Sequence, residues 1–209
     1  MFRKFLPKKE NNNERHTNGL NERQNFLRDM RYLFDNIEIV RLEEDTLISS
    51  FDCGDNDLND FLLNDAKNYL KSMLAVTYLI KIENEIAAYF CLSNDGLTRT
   101  TILTAEEKSL WNKVGRKIPN SKRRKTYPAV KIGRLAVNQK FSGLGLGTQI
   151  LLSVREMYIS EPHHAGCRFV TVDAYRTALS FYERNDFKYL TTKDTDDETR
   201  IMYFDLKSI

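Results

Sequence analysis

The chain has 209 residues, 29% charged and 41% hydrophobic, with a formal net charge of +3. This length and balance suit one globular domain with a sizeable core and some decoration, and so mild a charge implies no particular partner. Cys53, Cys91 and Cys167 are odd in number and lack any CxxC spacing, which argues against a disulfide framework or a zinc cluster and for a reduced, cytoplasmic setting. The start, MFRKFLPKK, has no apolar h-region, and no run approaches the roughly 18 apolar residues of a membrane helix, so neither a signal peptide nor a membrane span is expected.

Residues 1–30 are polar and read as a loosely attached arm, with Met30 as an alternative start that intact mass would test. Residues 31–209 read as a single domain. IEIVRL alternates like a strand, and FDCG reads as a turn. Leu58, Phe61, Leu62, Ala66, Tyr69, Leu70 and Met73 recur at helical spacing, which predicts an amphipathic helix over 56–73. AVTYLIKIE and EIAAYFCLS are β-rich and joined by Asn84-Glu85 as a hairpin. An insert over about 96–127 holds a helix from Ala105 to Lys113 and then a basic loop, with seven Lys or Arg and no acid between Lys113 and Lys125. AVKIGRLAV (129–137) is a strand, Gly147–Ile159 a helix and RFVTVDAY (168–175) a strand. Thr177–Asn185 is a short helix, and FKYL and RIMYFDL are the closing strands. Mixed elements in this order make an α/β or α+β sandwich.

FSGLGLGTQI places Gly143, Gly145 and Gly147 between a strand and a helix. Glycine lets main-chain amides converge and approach a ligand closely, and a helix N-terminus adds partial positive charge, so the stretch suits phosphate. It lacks the lysine of a P-loop, and Thr148 stands where a G-x-G-x-x-G fingerprint needs its third glycine. An x-x-x-G-x-G pattern read from Ser142 does fit. A glycine-rich turn without a ligand is the competing reading of this stretch alone.

VKIGRLAVNQKFSGLGLGTQIL followed by ALSFYERNDF resembles the GNAT (GCN5-related N-acetyltransferase) superfamily over about residues 37–207. The resemblance implies a GNAT fold: a central, mixed, mostly antiparallel twisted sheet of about six or seven strands flanked by helices. It implies acetyl-CoA as co-substrate and no metal. Ser142, Gly143, Leu144, Gly145, Leu146, Gly147 and Thr148 would hold the pyrophosphate, although Ser142 stands where Gln or Arg is usual. Leu135, Ala136 and Val137 would hold the pantetheine arm, with the Val137 amide serving the oxyanion. Tyr182 would donate a proton to the departing thiolate; its alternative is a core aromatic beside Phe181. Asp186, with Asn185 before it, stands where glycine is usual. KIGRLAV offers Gly133 and Arg134 where many relatives carry a glutamate base, which leaves Asp173 as a candidate, with a plain strand-end acid as its alternative, and leans towards an acceptor amine of low pKa, such as an α-amine.

FDCGDNDLNDFLLNDA is similar to the opening FxCGxxxLdxfL signature of a GNAT subgroup that includes toxins acetylating the α-amine of aminoacyl-tRNA. That likeness implies an antitoxin partner, and the basic segment, with Lys122, Arg123, Arg124 and Lys125, would suit the phosphate backbone of tRNA; a homodimer is a further expectation. A solvated basic loop is the plain alternative. The competing functions are acetylation of a small-molecule or protein amine, and a catalytically silent GNAT-fold module that binds nucleic acid or protein. His163-His164 reads as a solvent-facing loop pair rather than metal ligands. Asp194–Glu198 reads as the turn between the last two strands.

Overall fold

The computed structural model describes residues 37–48, 50–99, 104–115, 118–119, 125–160 and 165–208. The chain divides into two units, Met1–Ile37 and Glu38–Ile209. The polar arm and Met30 lie outside the described residues; apart from Ile37, the first residue of the first strand, the elements and the core belong to the second unit.

Seven strands form one sheet in the order β1-β2-β3-β4-β5-β7-β6. They are β1 (Ile37–Arg41), β2 (Val76–Ile82), β3 (Glu85–Thr98), β4 (Thr126–Val137), β5 (Phe169–Tyr175), β6 (Lys188–Tyr189) and β7 (Thr199–Asp205). β4 and β5 run parallel, whereas β2–β3, β3–β4, β5–β7 and β6–β7 are antiparallel. The mixed, mostly antiparallel sheet expected from the sequence is therefore present.

β2 and β3 turn over Glu83 and Asn84, whose φ angles are 50° and 67°. Positive φ at both central residues defines the tight turn that suits strand twist, so the turn sits one residue earlier than Asn84-Glu85. β3 runs on through Asn94-Asp95-Gly96 to Thr98, and β4 begins at Thr126, so the two ends of the expected insert are strand, with the expected helix between them at Ala105–Gly115. Gly96 lies opposite Pro128 in that extension.

The helix expected over 56–73 consists of α1 (Asn56–Asp60), a π-helical turn (Phe61–Asp65) and α2 (Ala66–Lys71). The Asp55 carboxylate caps it, accepting from the amides of Asp57 and Leu58 at 2.9 and 3.2 Å. At the other end the Met73 amide donates to Leu70 O and the Leu74 amide to Tyr69 O, with Met73 left-handed at φ 54°. That is the bonding of a Schellman stop. Met73 therefore leaves the apolar face that its spacing suggested and is 92% exposed.

One face of the sheet carries two apolar clusters. Phe61, Leu62 and Ala66 pack with Leu79, Tyr89 and Ala136. Trp111 and Val114 of α3 (Ala105–Gly115) pack with Tyr127, Phe169 and Tyr203. The opposite face carries α4 (Leu146–Ser160) and α5 (Leu179–Arg184). Phe204 alternates with Tyr203 along β7 and so faces the other way; the Arg155 guanidinium of α4 lies 3.7 Å over its ring. The result is a helix–sheet–helix sandwich.

Candidate active site

β4 and β5 pair only through Ala129↔Phe169, Val130↔Val170 and Lys131↔Thr171. Beyond this point β4 continues to Val137 and β5 to Tyr175 without facing each other in register. The cause is written in β4. Opposite β3, Ile132 pairs with Leu92 and Arg134 with Cys91, which leaves Gly133 as an extra residue. Such a bulge bends and twists its strand, here opening a V between β4 and β5. No heavy atom lies within 4 Å of where a Gly133 side chain would begin.

The open half of β4 presents its backbone to the V. The Asn138 amide donates to Ala87 O at 2.9 Å, which fixes the antiparallel alternation: Arg134, Ala136 and Asn138 bond towards β3. The N–H and C=O groups of Leu135 and Val137 therefore point into the gap, where an extended amide-bearing arm could pair with them as a strand would. Ala136 instead buries its methyl in the Phe61–Tyr89 cluster.

The glycine loop closes the end of this gap, and its three glycines differ in role. Gly143 and Gly145 both have φ 78°, and neither has a heavy atom within 4 Å of a built Cβ. Their conformation excludes ordinary side chains, while the space beside them is open. Gly147 has ordinary φ, but a Cβ there would stand 3.1 Å from Phe181 Cζ. It is glycine so that α4 can pack on α5. Leu146 anchors the first turn in the core at 3% exposure. First-turn helix amides have no intrahelical acceptor, so the loop and the α4 N-terminus form a main-chain cradle whose chemistry suits an anion. The nearby cation does not face that cradle: Lys140 Nζ is bound to Glu85 at 2.7 Å. Ser142 is exposed, and Leu144 and Thr148 are half-buried.

Tyr182 lies in α5, 6% exposed, edge-on to Phe181 and Phe187 at 5.0 and 5.3 Å. Its hydroxyl has no hydrogen-bond partner among the described residues, and burial pushes its phenol up to about 12. It is thus a packed aromatic whose hydroxyl keeps its proton at neutral pH. After it, Asp186 takes the left-handed conformation at φ 64°, while Asn185 does not. Asn185 accepts through its carbonyl from buried Arg155 and donates through its amide to Phe181 O at 2.8 Å, which ties α4 to the end of α5.

Arg134, standing where a glutamate base was sought, lies 5.0 Å over the Phe61 ring with Asp57 at 3.7 Å. Asp173 is paired with Lys131. Lys122, Arg123, Arg124 and His163-His164 lie outside the described residues. Lys125 is exposed, and its carbonyl takes the Arg99 amide at 2.7 Å. Asp194 is 6% exposed and accepts from Arg200 Nε and the Ile201 amide at 3.1 and 2.7 Å, which pins the turn before β7.

Sequence reasoning missed the Lys131–Asp173 pair and the buried Glu107. The latter was visible as a T-x-x-E capping spacing from Thr104; the Thr104 amide donates to its carboxylate at 3.0 Å.

Residues 108–206 match the family model of the acetyltransferase (GNAT) domain. Among solved structures, AtaT complexed with acetyl-methionyl-tRNAfMet superimposes with TM-score 0.66 at 22% identity, covering 82% of this chain and 96% of that one. AtaTR bound with acetyl-CoA gives 0.65 at 23%, covering 83% and 96%. A tyrosine-to-phenylalanine mutant of KacT gives 0.64 at 22%, again covering 83% and 96%. These likenesses are of fold.

Proposed function

Because the chain belongs to the GNAT acetyltransferase superfamily, we propose that it carries acetyl from acetyl-CoA to the α-amine of an aminoacyl-tRNA in the cytoplasm. The observation that carries the cofactor half of this reading is the V itself. The backbones of Leu135 and Val137 face a gap that leads to the open amides around Gly143 and Gly145. In this reading Ser142 to Thr148 hold the pyrophosphate and Leu135 and Val137 bond the pantetheine amides. The Val137 N–H faces the developing oxyanion, where a fixed donor lowers the barrier most. Tyr182, protonated throughout the neutral range, gives its proton to the departing thiolate as a general acid.

The acceptor half rests on the FDCGDNDLNDFLL signature and on the likeness to AtaT, which was solved with acetyl-methionyl-tRNAfMet. An α-amine of pKa about 7.7–8.0 is largely neutral at cell pH and attacks with little help, unlike a lysine amine at about 10.4. Basic residues 122–125 supply the sequence-independent phosphate contacts. AtaT was also solved with the C-terminus of the antitoxin AtaR, and we extend the proposal to an antitoxin that binds this chain.

Incubating the protein with labelled acetyl-CoA, charged tRNA, peptides and polyamines tests the reading. Label in N-acetyl-aminoacyl-tRNA is expected. Label confined to peptides or polyamines removes the tRNA assignment and leaves the transferase.

A further inference from the structure

The two faces of the sheet bring different chemistry to the mouth of the V. Tyr182 belongs to the helical layer formed by α4 and α5. On the opposite face, in alternation with Phe169 beneath α3, stand Thr171 and then Asp173 of β5. Lys131 is the last residue of β4 in register with β5, and its ammonium pairs with the Asp173 carboxylate across the first open rung. The side chains of Lys131 and Asp173 are 31% and 42% exposed, between the two apolar clusters rather than within either. The neighbouring acid, Asp95 of β3, is already engaged by the Thr171 hydroxyl and by the Gly96 amide at 2.7 Å. Arg134, further along β4, is turned over Phe61.

We propose that Asp173 is a catalytic residue that takes the proton from the acceptor nitrogen, and that Lys131 is the positioning residue that holds it at the fork. The inference rests on the transferase reading and is independent of which amine is acceptor. A neutral amine forms a C–N bond to the acetyl carbonyl carbon, whose π electrons move to oxygen. The nitrogen now bears N⁺–H and is far more acidic than the free ammonium. Its proton passes to the Asp173 carboxylate, directly or through one water. The oxyanion collapses, the C–S bond breaks, and the thiolate takes the Tyr182 proton from the other face. Amide and thiol leave, and both side chains re-equilibrate with solvent. The acid thus serves the leaving group from one layer and the base serves the nucleophile from the other.

The test compares the full chain with Asp173→Asn, Asp173→Glu and Lys131→Met, using acetyl-CoA with charged tRNA and, in parallel, methionine amide as a small α-amine. Asp173→Asn should lower kcat by about 10²-fold, the low end for a positioned proton-transfer group. The acetyl-CoA KM and the thermal shift on adding coenzyme A should hold. Asp173→Glu should recover part of kcat, and Lys131→Met should lose less than Asp173→Asn. An Asp173→Asn kcat within about twofold of wild type on whichever acceptor turns over overturns the proposal, given the size expected of such a group. Turnover of methionine amide but not tRNA, with the Asp173→Asn loss intact, removes the tRNA reading and keeps this one. No turnover of either acceptor by the wild type overturns both.

Discussion

The two halves of β4 make an instructive comparison. From Thr126 to Ile132 the strand is flanked by β3, and over Ala129–Lys131 by β5 as well, with Tyr127 and Ala129 locked into the aromatic cluster under α3. From Gly133 to Val137 it keeps β3 and has no registered partner on the other side. One extra glycine separates a closed half that holds the fold together from an open half whose backbone is available to a ligand. Apart from Lys131 at its edge, substitutions in the closed region should therefore change stability without changing chemistry, and those around the open region the reverse.

Tyr182→Phe should show the largest effect and sharpen the contrast most. Its hydroxyl is unpartnered among the described residues, so phenylalanine preserves the edge-on contacts with Phe181 and Phe187. Stability and the thermal shift with coenzyme A should be kept, while kcat falls by about 10²–10⁴-fold, the range for a lost general acid. A kcat equal to wild type in steady-state assays removes Tyr182 from the chemistry. Phe169→Ala tests the other half. Phe169 is 0% exposed and touches Tyr127 and Tyr203, so truncation should cost about 3–5 kcal/mol in denaturant unfolding. The kcat of the folded fraction should stay near wild type; a collapse of kcat would break the division.

Gly145→Val is a smaller effect with a divided outcome. Holding a non-glycine residue left-handed costs about 1–2 kcal/mol, and the β-branched side chain would fill the open space beside the cradle. Calorimetry should show coenzyme A affinity falling by at least about tenfold, because 1.4 kcal/mol is one decade. Gly147→Val should instead weaken the fold through Phe181. Equal effects from the two would merge roles that the backbone angles and contacts separate.

Much of this architecture was legible because it is local. Apolar spacing located the helices, alternation located the strands, and three glycines before a helix marked the cradle. The sequence could not show that Gly143 and Gly145 serve by φ and Gly147 by contact, because that division depends on where α5 packs. Asn94-Asp95-Gly96 and Pro128 look like breakers, yet β3 and β4 pair straight through them, each supplying the partner the other needs. The bulge at Gly133 is a matter of register between two strands, and the Lys131–Asp173 pair joins residues far apart in sequence on neighbouring strands. Pairings of this kind leave no local signal.

Glu107 gives the subtlest test, since it ties the closed region to the loop before β7. Its carboxylate accepts from the Thr104 amide at 3.0 Å and the Thr191 hydroxyl at 2.9 Å, with Lys193 at 3.4 Å. The Thr104 amide bond is the largest cause holding its carboxyl below the usual range, with Thr191 and Lys193 adding to it. A carboxyl depressed in the folded state stabilises that state above its unfolded pKa, about 4.3 for glutamate, and loses the contribution as pH falls through the lower folded value. Glu107→Gln should accordingly unfold at a lower temperature than wild type at pH 7. The difference should shrink progressively below about pH 4, where the wild-type carboxyl also becomes neutral. Thermal melts across this range should show the two curves converging on the acid side, with acetyl transfer at pH 7 unaltered. Curves that stay parallel into acid would mean that Glu107 acts by shape alone.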